Sequence, residues 1–176
     1  MRFDIKSRRI ELSAQEFATF RPGPGAGSGG APWRAEAGRQ WHETLRRQAE
    51  AEQAGWTFER AANCEVRALG WTLAVTGRAD QWREAAGAVR IREVKTISQS
   101  LPRRSDQLLR RYPHHFLQLT LYCHAARLDP AVRAVQGEVI FVDLTSGEKQ
   151  AVPLPATAEA DLLKQAETIA AHAENR

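Results

Sequence analysis

An aspartate at position 80, a glutamate at 93 and a lysine at 95 carry the strongest chemical signal in this chain. They lie in VTGRADQWREAAGAVRIREVKTISQS, residues 75–100, where two strand-like runs flank a short Ala86-Gly87 turn. With the turn centred on that pair, Asp80 and Glu93 face each other across a hairpin. Like charges so placed destabilise a hairpin unless one is protonated or a cation lies between them. Glu93 and Lys95 are two apart and share one face of their strand. Val94 points into the other layer and keeps its carbonyl available. Two readings of this set are open. In one, Glu93 pairs with Lys95 on a solvated hairpin face. In the other, the carboxylates hold a hard divalent cation, since Mg²⁺ takes one or two carboxylates and completes its shell with water and substrate phosphate. An adjacent lysine can orient a water, stabilise developing charge or move a proton. That second arrangement suits metal-assisted hydrolysis of a phosphodiester.

Periodicity outlines the elements that must position these residues. RFDIKSRRIELS alternates as a strand or hairpin arm does. Ser13 followed by Glu16 is a capping-box pattern and predicts a short helix through about Phe20. RPGPGAGSGGAP, residues 21–32, is a Gly/Pro-rich loop. Trp33, Ala37, Trp41 and Leu45 recur at steps of four and define a helix face, with Gly55 as its stop. WTFERAANCEVRAL and WTLAVTGRADQW read as strands with a turn near Leu69-Gly70, and AVRIREVKTIS as a third. A basic, Pro-bounded connection, LPRRSDQLLRRYP, leads into the helix HHFLQLTLYCHAARL. VQGEVIFVDLTSGEKQAVPLP is a strand, turn and strand, and the tail from Thr157 is a polar amphipathic helix. The order is that of a mixed α/β domain around a short sheet. It divides into an N-terminal appendage (1–20), the loop (21–32), a core (33–155) and a C-terminal helix (156–176) leading towards a further domain.

Composition narrows the function classes. A length of 176 residues, 43% of them hydrophobic, fits one soluble domain with a short appendage. No apolar run is long enough to cross a bilayer, and the first residues lack the apolar stretch of a signal peptide. A membrane partner is therefore not expected, and a cytoplasmic location is. Cys64 and Cys123 form no CxxC pair and are too few for a zinc or iron–sulfur site of thiolates alone. The net charge of +4 permits an anionic partner. Only Lys6, Lys95, Lys149 and Lys164 are lysines, the other basic side chains being arginines.

Four motifs in order give a more specific indication. Gly77-Arg78-Ala79-Asp80, then Glu93-Val94-Lys95, then Gln118 through Tyr122, with His42 on an upstream helix, resemble the PD-(D/E)xK nuclease superfamily. The likeness is greatest to its RecB-like branch, which includes helicase-attached and CRISPR-adaptation nuclease domains. Ala79 stands where the family name has proline, which RecB-like members often lack. The resemblance implies a restriction-endonuclease-like core, αβββαβ, with a short mixed sheet flanked by helices. It implies metal binding, by Mg²⁺ or Mn²⁺, through Asp80, Glu93, the Val94 carbonyl and His42. Lys95 would position or activate the attacking water, and Gln118 and Tyr122 would line the site or contact DNA. The four-cysteine iron–sulfur cluster of some relatives is not expected. The branch further implies exonuclease action on single strands or DNA ends, a helicase partner in cis or trans, and a nucleoid-associated role in DNA processing or repair. Arg78, Arg103, Arg104, Arg110 and Arg111 are candidate phosphate contacts and Tyr112 a candidate stacking residue. The competing reading is a non-catalytic nucleic-acid-binding or scaffold module on the same fold.

Overall fold

The computed structural model describes residues 1–23, 32–51 and 55–176. Most of the Gly/Pro-rich loop and the side chains of Trp33, Ala37 and His42 lie outside the described residues. The chain order is β1 (Arg2–Asp4), β2 (Arg9–Ser13), α1 (Ala14–Thr19), α2 (Pro32–Ala51), β3 (Trp56–Ala61), β4 (Cys64–Ala68) and β5 (Trp71–Thr76). It continues with β6 (Arg78–Ala85), β7 (Ala88–Ile97), α3 (Ser105–Arg111), α4 (Pro113–Arg127), β8 (Ala134–Asp143), β9 (Lys149–Pro153) and α5 (Ala158–Glu174).

The mixed α/β architecture expected from the residues is present, with two mixed sheets flanked by helices. Five strands, β3-β6-β7-β8-β9, form the larger sheet, and four, β1-β2-β5-β4, the smaller. β7 lies at the centre of the larger sheet, antiparallel to β6 and parallel to β8. The β6–β7 turn sets the register. Ala86 and Gly87 have φ of 49° and 79°, the two left-handed residues of a type I′ hairpin. Gln81↔Arg92 through Ala85↔Ala88 then pair as the turn requires, and Asp80 and Glu93 come next along the two strands.

The two strand-like runs before the hairpin divide between the sheets. β3 and β6 belong to the larger sheet, β4 and β5 to the smaller. The chain crosses between them at Ala62-Asn63 and again at Gly77. These crossings are tied together: Ala62 N–H donates to the Gly77 carbonyl (2.9 Å) and Gly77 N–H to Asn63 Oδ1 (3.2 Å). A uniformly strand-like composition conceals such a change of sheet.

The first 20 residues are built into the core. β2 pairs in parallel with β5, and Ile10 and Phe17 are fully buried. The Ser13–Glu16 capping box forms in both directions and starts α1. The basic connection contains the short helix α3, anchored by buried Leu108. α4 packs on β7 and β8 and also meets α1 and α5. On the opposite face of β7, Val94 packs with Leu45 of α2 and Val142 of β8. β7 is thus buried on both faces where the candidate residues lie.

Candidate active site

Asp80 sits where β6 parts from β7. Antiparallel strands alternate hydrogen-bonded and non-bonded pairs. Counted from the turn, the next bonded pair after Gln81↔Arg92 would place Val94 N–H on the Ala79 carbonyl. Instead Val94 N–H donates to Asp80 Oδ2 at 2.7 Å. The carboxylate therefore takes over a backbone partner at the point where the strands open. In an extended strand the N–H and C=O of one residue point the same way, so the Val94 carbonyl opens on the Asp80 side.

Glu93 is only 2% exposed and bonds Lys95 Nζ through Oε1 at 2.8 Å. This is no solvated surface pair. Burial disfavours the charged lysine, but Glu93 and Asp80 outweigh it and hold Lys95 above its ordinary value, as an ammonium. Burial pushes Asp80 up to about 6, against the pull of Lys95 and the Val94 N–H. With both carboxylates ionised, this group carries one net negative charge in a largely buried setting. A divalent cation on the carboxylate oxygens would offset it. Asp80, Glu93 and the Val94 carbonyl are all hard oxygen donors and fit Mg²⁺ or Mn²⁺ in kind. Among the described residues, no three His, Cys, Asp or Glu side chains are grouped to hold an ion by themselves.

α4 supplies the wall of the site. Gln118 and Tyr122, one turn apart, are buried, and Gln118 Nε2 donates to Tyr122 Oη at 2.8 Å. Burial first, then the charge of Glu93, raises the Tyr122 pKa, so the hydroxyl keeps its proton. Gln118 Oε1 is buried with no hydrogen-bond partner among the described residues, leaving an acceptor at this wall. Gly77 explains the close fit. A Cβ there would lie 2.6 Å from Tyr122 Cε1 and 3.2 Å from its hydroxyl, so only glycine lets the ring rest on the strand beside Asp80. His114 and His115 begin α4, and Tyr112 stacks on His115 with ring centroids 5.7 Å apart. Burial and the Lys95 charge lower both histidines, His115 to about 2, so neither carries charge at neutral pH.

The remaining candidates are more dispersed. His42 lies on α2, and its side chain is outside the described residues. Arg78 is exposed and 3.6 Å from Glu59. Arg104 and Arg110 both bond Asp106, at 3.0 and 2.8 Å, which offsets part of their charge. Arg103 and Arg111 are exposed. Tyr112 is half-buried, its ring against His115 and Phe141. The two cysteines are buried free thiols. Two features escaped the sequence reading. The first is the steric role of Gly77, which needs the position of Tyr122. The second is a cluster of Arg83, Arg90 and Arg92 around Trp56; the alternation of Arg90 and Arg92 along a strand was its visible sign.

The sequence model of the PD-(D/E)XK nuclease superfamily matches residues 5–176. The chain belongs to that superfamily, whose members are in general metal-dependent nucleases. Among solved structures it is similar to the crystal structure of SSO0001, at 20% identity and a TM-score of 0.56, over 79% of this chain. The chain spans 60% of that protein's length, and at this identity the likeness concerns the fold. No curated protein matches it significantly.

Proposed function

We propose that the protein is a metal-dependent deoxyribonuclease of RecB-like type, acting on single strands or DNA ends and working with a helicase. The observation that carries this reading is the buried Asp80–Val94–Glu93–Lys95 arrangement at the opening between two strands. Asp80, Glu93 and the Val94 carbonyl would hold the cation, with His42 as a further ligand. When bound, Mg²⁺ or Mn²⁺ supplies charge neutralisation at the phosphate and a more acidic water. Lys95, kept as an ammonium, steadies the phosphate and orients the attacking water through its donors. Gln118 and Tyr122 offer an acceptor and a donor to the strand on the α4 side. Arg78, Arg103, Arg104, Arg110 and Arg111 contribute sequence-independent phosphate attraction. Tyr112 reaches a base only by turning from His115. The near-complete burial of Glu93 speaks against a merely decorative ion pair and so against the scaffold reading.

Incubation of linear and covalently closed single-stranded DNA with Mg²⁺ or Mn²⁺ tests this. Loss of the linear strand with the circle spared is the expected result. Cutting of the circle would replace exonuclease by endonuclease action, and survival of both substrates would count against a nuclease acting without its partner.

A further inference from the structure

The sheet face opposite the carboxylates carries a second unusual charge arrangement. Arg83 and Arg90 lie directly opposite each other across β6 and β7. Like charges there cost stability without serving the fold. Arg92, two residues on, shares their face. Trp56 of β3 pairs with Arg83 and packs against two guanidiniums: Arg92 Cζ lies 4.4 Å and Arg83 Cζ 5.1 Å from its ring centroid. Arg90 and Arg92 both bond a single oxygen, Glu138 Oε1, at 2.8 and 2.6 Å. Among the described residues Arg83 has no carboxylate partner. On the neighbouring helix, Arg46 lies over Phe58 and bonds Glu50. For Arg83, Arg90 and Arg92 together, the carboxylate partner among the described residues is Glu138 alone, a local excess of positive charge. Among the described residues, α2 meets this face through Leu45 at Val94 and Val142 and through Arg46 at Phe58. The side chains of Arg90 and Arg92 remain 37% and 24% exposed. Arg90 also opens onto a cavity of about 560 Å³ with Arg127, Gln136 and Glu138 in its wall.

We infer that this Trp56–Arg83–Arg90–Arg92 face binds the phosphates of a nucleic-acid strand that continues beyond the candidate active site. The inference rests on the nuclease reading for the strand's origin. Guanidiniums packed over an indole keep several N–H donors at their edges, and those not bonded to Glu138 suit phosphate oxygens. The Trp56 ring is taken up by the arginines, so phosphates rather than bases are the ligand. β3 is the outer strand of its sheet, so a strand leaving Asp80 need only round that edge. Asp80 and Arg83 are three residues apart, about 10 Å along β6.

Fluorescence anisotropy in EDTA, with single strands about 4 and about 20 nucleotides long, tests this, together with cleavage of both in Mn²⁺. The double variant Arg83→Glu/Arg90→Glu should bind the long strand at least about 10-fold more weakly, and wild-type affinity should fall steeply with salt. Cleavage of the short strand should be unchanged, which also shows that the variant is folded. Equal affinity of variant and wild type for the long strand would overturn the inference. So would an equal loss on both lengths, or poly-glutamate bound as tightly as DNA. Long-strand binding that the variant loses, with no cleavage by wild type, would leave this surface standing and count instead against a nuclease acting without its partner.

Discussion

Asp80 is the residue at which stability and function conflict most openly. Its carboxylate accepts the Val94 N–H, and its burial outweighs that bond and the attraction of Lys95. Its folded pKa lies above the unfolded value, so the folded state binds the proton more tightly. Stability from this group is present at low pH and is lost as pH rises from about 4 through about 6. In metal-free protein at pH 7.5, Asp80→Asn should therefore raise stability by about 3 kcal/mol, an order-of-magnitude figure from a shift of roughly two units. The gain should vanish near pH 4, and thermal melts in EDTA at the two pH values would measure it. Lower stability of the variant at pH 7.5 would mean that the contacts of the Asp80 carboxylate outweigh the cost of burying it. The types and order of Asp80, Glu93 and Lys95 were legible in the sequence because the Ala86-Gly87 turn set their register. The partner of Asp80 was not, because it depends on where the ladder stops.

At the scale of elements, Gly77 joins the parting of β5 and β6 to the position of α4. The sequence showed it only as the first letter of a motif. In the structure its missing Cβ is the space in which Tyr122 lies. Gly77→Ala should push the ring outward and cost about 1–3 kcal/mol, as overpacking does. Cleavage should fall further than that loss of stability explains, because Tyr122 and Gln118 move from the carboxylates. Denaturant unfolding beside turnover at a temperature where both proteins are folded separates the two effects. Unchanged activity would show that α4 does not set the site. The split of each strand-like run into two sheets was illegible for a related reason. Residues near Asn63 and Gly77 read as continuous strand, and only their mutual hydrogen bonds mark the crossing. Arg104 and Arg110 read as candidate phosphate contacts, although the i,i+4 spacing of Asp106 and Arg110 was the visible sign that Asp106 offsets part of their charge.

Over the whole molecule, the superfamily match from residue 5 to the C-terminus agrees with the way the first strands enter the core. Parallel pairing of β2 with β5 joins segments some 60 residues apart. No periodicity in residues 1–20 encodes that partner, which is why the segment read as an appendage. The two sheets, α4 and the hairpin turn together serve to hold two carboxylates and a lysine at one opening. DNA cleavage in Mg²⁺ or Mn²⁺, with an EDTA control, by wild type, Asp80→Ala and Lys95→Ala tests that claim most directly. Cleavage by wild type that stops in EDTA and falls on the order of 10²-fold or more in each variant is the expected result. Equal cleavage by all three proteins would contradict it.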